Sequence, residues 1–374
     1  MQLVDEFRDS RLAKNVKVDI EALSKAAGAD ESSPLQIMEI CGGHTHTIFR
    51  HGIDKLVPPS IEFIHGPGCP VCVLPMQRID EFIGLAENDN VILASYGDAM
   101  RVPGKRGSLL QSKAAGIDVR MIYSPLDALM IARKNPDQEV VFFGLGFETT
   151  APATAISILQ ASKEGIHNFS VFCNHITVPS PVRSILQEAE VSIDGFIGPG
   201  HVSMVIGTEP YNFIAEEFRK PVVVAGFEPL DLMHSVSMLL RQIVDGRAMV
   251  ENQYSRVVPS KGNPISLSAL NEVFETRPSF EWRGLGEIES SGLRIRKEFN
   301  EFDAEERFGI GYGRTVTQKS HNDQYPCGQV MMGKLKPLDC PHFCKDCSPE
   351  TPLGALMVSS EGACAAYYQY GGTR

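Results

Sequence analysis

Clustered positive charge is missing from this chain. The 374 residues carry a formal net charge of −11 and contain no basic run. Both a nucleic-acid groove and an anionic membrane surface need clustered Lys and Arg, so neither is expected as a partner, which leaves proteins and small molecules. Long apolar runs are missing as well. The opening stretch, MQLVDEFRDSRLAKN, is charged and amphipathic with no apolar h-region, and no uninterrupted run approaches membrane-spanning length. The expectation is a soluble, cytoplasmic protein. Nucleotide chemistry also lacks its signature: GLGFETT (144–150) has neither a full GxGxxG nor a P-loop Lys.

Cysteine, in contrast, is plentiful and clustered. Nine cysteines in a reducing compartment do not read as a structural disulfide framework, so the clustered ones need a metal or redox explanation, while Cys173 stands apart and reads as simply buried. The stretch IEFIHGPGCPVCVL (61–74) ends an apolar run in a Gly-Pro-Gly turn and presents Cys69 and Cys72 as a Cys-x-x-Cys pair. Pro70 stiffens that turn, as in disulfide oxidoreductases; half a zinc site, or two unrelated thiols, is the competing reading. LQIMEI (35–40) likewise runs into CGGHTH, so two strand ends are expected to aim Cys41, His44, His46, Cys69 and Cys72 into one cleft. His44 and His46 either ligate metal and move protons or merely hydrogen-bond backbone, and His65 and His201 carry the same ambiguity. His44 is expected to act on Cys41 through a positive charge, or else to donate a hydrogen bond to a ligand bound there. Gly42 and Gly43 would leave room there for a second protein. Asp98, Glu148, Glu228 and Glu361 read first as solvated or capping carboxylates.

The fold class expected is α/β, with two similar parallel-sheet lobes and a loop- and helix-rich iron–sulfur domain. Strand candidates at 35–40, 61–65, 91–96, 117–122, 139–143, 169–173, 193–197 and 221–225 alternate with helical patterns such as RIDEFIGLAEN and PLDALMIARKN. The division expected is N-terminal helices at 1–33 packing on the cluster domain, α/β domains at 34–136 and 137–250, and a cysteine-built domain at 251–374. Gly-Pro-Gly at 66–68 recurs at 198–200, and the same offset sets Cys41 over Cys173 and Cys69 over His201. That echo points to two facing lobes of similar build. Past residue 250 the alternation fades: ENQYSRVVPSKGNP reads as a connector, SLSALNEVFE as a helix, and EWRGLGEIESSGLRI, with the only Trp, as an irregular or hairpin segment.

Five cysteines fall within the last 48 residues, and four thiolates suit either tetrahedral zinc or a cubane iron–sulfur cluster. The 12, 6 and 16 residues that separate Cys327, Cys340, Cys347 and Cys364 favour the cluster over paired zinc knuckles. Cys340, Cys344 and Cys347 also spell C-x3-C-x2-C, the triad of radical S-adenosylmethionine enzymes. The 27 residues that follow it are too few for the barrel such enzymes need, so that reading is rejected.

CGGHTH, GPGCPVC, YGDAMRVPG, FFGLGFETT, GPGHVSMVIG, VAGFEPLDL, ENQY, WRGLG and SSEGACAA occur in this order almost from end to end. With them the chain closely resembles the HypD family of maturation factors for nickel–iron hydrogenases. The resemblance implies a monomer that is a scaffold with redox-active centres rather than an enzyme. It implies action with a HypC-type chaperone and a HypE-type cyanide donor to assemble the Fe(CN)2CO group. By the same resemblance Cys41 helps to hold the iron, Cys69 and Cys72 form a redox-active pair, and Cys327, Cys340, Cys347 and Cys364 bind a [4Fe–4S] cluster. Cys344 lies outside that pattern, and Leu335 stands where some relatives carry a cysteine. Two other classes remain: a cluster-dependent thiol–disulfide oxidoreductase, which leaves CGGHTH without a purpose, and a zinc-stabilised binding module, which explains the C-terminal cysteines alone.

Overall fold

The computed structural model of the protein describes residues 10–87, 90–188, 191–310 and 325–371. Nine strands follow the expected alternation: β1 (Leu35–Glu39), β2 (Ile61–His65), β3 (Val91–Tyr96), β4 (Val119–Ile122), β5 (Glu139–Gly146), β6 (Phe169–His175), β7 (Gly195–Pro199), β8 (Val222–Ala225) and β9 (Val250–Asn252). They form two parallel sheets, of order β2-β1-β7-β8-β9 and β4-β3-β5-β6. Both lobes are α/β. In β5, β6, β7 and β8 nearly every residue is buried, the unbroken apolar pattern of strands covered on both faces.

The chain divides into two compact units, one of Met1–Cys69, Pro181–Asn263 and Pro326–Arg374, the other of Pro70–Ser180 and Pro264–Tyr325. This departs from the continuous ranges expected from the sequence. The five-stranded sheet draws β1 and β2 from 34–136 and β7 and β8 from 137–250, so neither range builds one sheet by itself. β9 adds an edge where a connector was expected. The region 251–374 is divided too, its beginning (to Asn263) and its end (from Pro326) in the first unit and Pro264–Tyr325 between them in the second. The internal echo fails with it. β2 and β7, which carry the two Gly-Pro-Gly turns, flank β1 in one sheet, whereas Cys173 lies on β6 in the other.

In the first unit, the Ser10–Ala26 helix sets Val16 and Ile20 into a core with Ile37, Ile48, Ile197, Val223, Leu232, Val236 and Leu239. Its main partner is the Pro229–Val244 helix, and Arg241 and Ser237 of that helix both donate to Asp19. The packing on the C-terminal segment expected of 1–33 is thus replaced by packing on a sheet helix; residues 1–9 lie outside the described residues. Glu228 and Asp231 close a capping box at the start of the Pro229–Val244 helix, with Pro229 at its first position.

In the second unit, Ser108 with Gln111 and Ser124 with Asp127 cap the helices that follow β3 and β4. The Pro264–Val273 helix runs into β10 (Phe274–Thr276), and β11 (Ser279–Trp282) and β12 (Gly286–Glu289) form the hairpin around the Trp; β13 (Leu293–Ile295) pairs with β10. Cys173 is buried with its thiol 3.4 Å from the Leu293 carbonyl, and burial pushes it up to about 12. No helix among the described residues is long and apolar enough to cross a membrane.

Candidate metal and redox site

In the five-stranded sheet, the chain leaves β1 toward β2 on one side and leaves β7 toward β8 and β9 on the other. The crevice at such a reversal, outside the carboxyl ends of the strands, is where open α/β sheets bind ligands. Here it receives Cys41 from β1, Gly66–Cys69 from β2, His201 from β7 and Phe227 from β8.

Cys41 has extended backbone (φ −156°, ψ 118°) and caps the Gly42–Arg50 helix, its carbonyl accepting from the N–H of His44 at 2.8 Å and of Thr45 at 3.1 Å. Its own N–H donates to Glu39 Oε2 at 2.8 Å. Glu39 is fully buried; its Oε1 accepts from Thr45 Oγ1 and lies 2.8 Å from His65 Nδ1. A carboxylate, an imidazole and a hydroxyl therefore fix the backbone beneath the thiol. Cys41 Sγ lies 3.4 Å from His201 Nδ1. Burial, and after it the Glu39 charge, pushes the thiol far up, against the opposing N–H of His44, while burial brings His201 down to about 4. At neutral pH the two form a neutral thiol–imidazole pair.

His44 is in the crevice but not in the charged role anticipated for it. Burial lowers its pKa, its Nε2 stands 3.3 Å from the Ala225 carbonyl, and its Nδ1 has no hydrogen-bond partner. A neutral ring offers Cys41 no positive charge. Both His44 and His201 pack on Phe227, with ring centroids 4.8 and 5.3 Å from it. His46 points to the C-terminal segment, edge-on to Tyr370.

Gly42 and Gly43 are closely approached by other parts of this chain. A Cβ on Gly42 would lie 2.5 Å from that of Glu361, and one on Gly43 would lie 3.0 Å from the Phe227 ring. Gly68 is tighter still: its Cβ would stand 2.4 Å from the Cys41 nitrogen, and its carbonyl accepts from the Gly42 N–H at 3.0 Å. That contact sets the Cys69 turn beside Cys41.

Cys69 and Cys72 are disulfide-bonded, and since the other seven cysteines are free, they are bonded to each other. Both are buried, at 3% and 0% exposure.

The C-terminal cysteines come up to the same region of the first unit. The Ala363–Tyr370 helix packs on the Gly42–Arg50 helix, with Tyr367 4.3 Å from Phe49 and 5.9 Å from His65, centroid to centroid. Cys364 is buried at its start; burial raises its thiol, and so, in descending order, do the charges of Cys327, Cys340, Cys347 and Cys344, so all four lie within electrostatic reach of it. A Cβ on Gly354 would stand 2.3 Å from Cys327 Sγ. Cys344 is exposed, with φ +58°. Among the described residues no group of three or more His, Cys, Asp or Glu side chains is arranged to hold a single metal ion.

Of the carboxylates singled out in the sequence, Asp98 accepts from the Ala99 N–H and Glu228 caps a helix, as expected. Glu148 accepts from the Val178 N–H at 3.1 and 3.3 Å in the second unit, where burial pushes it up to about 7. Glu361 adds its charge to Cys41. The sequence does not mark Glu39, whereas His201 is among the histidines whose role it leaves open between metal ligation and a backbone hydrogen bond. The one available sign of Glu39 was a carboxylate at the inner end of an apolar strand.

Residues 12–371 match the HypD profile, described as the Hydrogenase formation hypA family. The chain is 62% identical to the hydrogenase maturation factor HypD of Rhodobacter capsulatus over 100% of its own length and 99% of that protein. Its identity to the HypD of Escherichia coli K12 is 53%, covering 99% and 98%, and to that of Rhizobium leguminosarum bv. viciae 52%, covering 99% and 96%. The chain belongs to the HypD family.

Proposed function

We propose that this chain acts in hydrogenase maturation as the scaffold on which an Fe(CN)2CO group is assembled. Cys41 holds the iron together with a HypC-type chaperone, and a HypE-type partner donates the cyanide. The observation that carries this reading is the placement of Cys41: a buried thiol with a fixed backbone, at the crevice of a parallel sheet, beside the turn that leads into the disulfide-bonded Cys69, and at the start of a helix that packs on the one carrying Cys364. Iron that takes cyanide and carbon monoxide is low-valent and prefers soft ligands, which a thiolate supplies. The buried crevice keeps water from the bound group. Binding iron removes the thiol proton, and the cation supplies the charge that burial alone opposes.

Cys327, Cys340, Cys347 and Cys364 fit a [4Fe–4S] cluster: they sit in loops and at helix starts, the charges of the first three act on Cys364, and the bare Gly354 makes space for the Cys327 sulfur. The cluster would supply electrons. Cys69 and Cys72 hold two more as a dithiol, released with two protons when the disulfide forms. We place the protein in the cytoplasm, as a monomer when alone.

The test is infrared spectroscopy of the anaerobically purified complex with its chaperone. Cys41→Ala should abolish the bands of iron-bound cyanide and carbon monoxide and leave fold and cluster intact; survival of the bands would move the iron elsewhere. For the thiol pair, trapping under a denaturing quench, needed because both sulfurs are buried, should give a two-electron transition across a graded redox buffer. Complete alkylation at every poise would make the pair inert or a ligand set.

A further inference from the structure

We infer that His201 is a second protein ligand to the iron at Cys41, so that the chain grips its cargo through a thiolate and an imidazole in adjacent positions. This rests on the reading of Cys41 as the thiolate ligand. The two side chains come from adjoining strand ends of one sheet, Cys41 from β1 and His201 from β7. With metal–sulfur and metal–imidazole distances of about 2.3 and 2.05 Å, two ligands of one ion stand about 3.1 Å apart at a right angle and about 3.6 Å apart at the tetrahedral angle. The observed Sγ to Nδ1 separation, 3.4 Å, lies between those limits.

His201 is held for that task. Gly200 before it is pressed on β8, where a Cβ would stand 2.3 Å from the Ala225 carbonyl oxygen, and Ser203 Oγ donates to the Pro199 carbonyl at 2.8 Å. Phe227 lies alongside the His201 ring. His44, the histidine that the CGGHTH motif brings forward, has its Nε2 directed to the Ala225 carbonyl. Imidazole suits iron as thiolate does, and a neutral imidazole with one thiolate leaves a ferrous ion with a net charge of about +1, which anionic cyanide and a partner's thiolate can then meet. Two ligands from this chain leave the other positions to them. The thiol proton passes to solvent as the metal binds.

Co(II), added alone to the anaerobic, cluster-bearing protein with its cluster in the diamagnetic state, gives a paramagnetic probe of the site. The wild type should show a thiolate-to-cobalt charge-transfer band and the 14N echo modulation of a coordinated imidazole in pulsed EPR. His201→Ala, and independently His201→Gln, should lose the modulation and keep the band. Each should weaken binding by at least the roughly 10–100-fold that loss of an outer-shell partner costs a metal site. Added imidazole should restore both modulation and affinity to His201→Ala, which a merely structural role would not allow. Unchanged modulation and affinity in both variants, with the band still lost in Cys41→Ala, would overturn the ligand role of His201 and leave the Cys41 reading standing. Binding and band unchanged in Cys41→Ala would overturn that reading, and this inference with it.

Discussion

Cys364→Ala is expected to lose the brown chromophore that the proposed cluster would give the anaerobically isolated protein, and to lower stability by more than about 3 kcal/mol, in the range where the loss of a structural metal places a substitution. The size follows from how little else orders the segment. Its helices are Cys327–Met331 and Ala363–Tyr370, joined by three-residue 3-10 turns at Pro337–Asp339 and Ala355–Met357, all too short to persist by themselves. Cys364 is buried at the start of the longest of these helices, and the charges of the other four thiols act on it. Cys327, Cys340 and Cys347 changed to Ala should follow it. Cys344→Ala should keep the chromophore, because that thiol is exposed. Iron, sulfide and zinc assays decide the matter: stoichiometric zinc with neither iron nor sulfide would contradict the cluster.

Gly68→Ala is expected to be about as damaging, without removing a single functional group. The added methyl would lie 2.4, 2.5 and 2.7 Å from the nitrogen, Cα and carbonyl carbon of Cys41, all backbone atoms. Nothing there rotates away. The end of β1 would have to move, and with it the Gly42 N–H to Gly68 carbonyl bond and the β1–β2 register from Leu35 with Ile61 to Glu39 with His65. Overpacking commonly costs about 1–3 kcal/mol, and a backbone-on-backbone clash falls at or above the top of that range. Denaturant unfolding should therefore show a loss of about 3 kcal/mol, together with loss of bound cargo iron. A variant with an unchanged midpoint would mean that the two loops are not in the contact described.

Much of this was legible in the sequence. The strands were, since parallel strands buried on both faces write themselves as short apolar runs, and eight of these were read within a few residues of their ends. Their Gly-rich loops marked the sheet edge that carries Cys41 and Cys69. Sheet order was not legible. Adjacency of β1 to β7, with about 155 residues between them, depends on long-range packing that periodicity does not encode, and so the domains were cut into continuous pieces and the Gly-Pro-Gly echo was taken for two facing lobes. The same gap hid the placement of His201 beside Cys41, which comes from the strand next to its own. The glycines of CGGHTH were read as open space because a sequence does not show what fills it; Glu361 and Phe227 do. The charge state of His44 also turned on burial, which a Gly-rich loop does not announce.

Mössbauer spectroscopy of 57Fe-enriched complex tests the central claim most directly, because it sees cargo iron and cluster iron in one sample. A majority cluster component and a minority low-spin ferrous component are expected in the wild type, with Cys41→Ala losing only the minority and Cys364→Ala losing the majority. A low-spin ferrous component that survives Cys41→Ala in full would contradict the assignment of the cargo iron to Cys41.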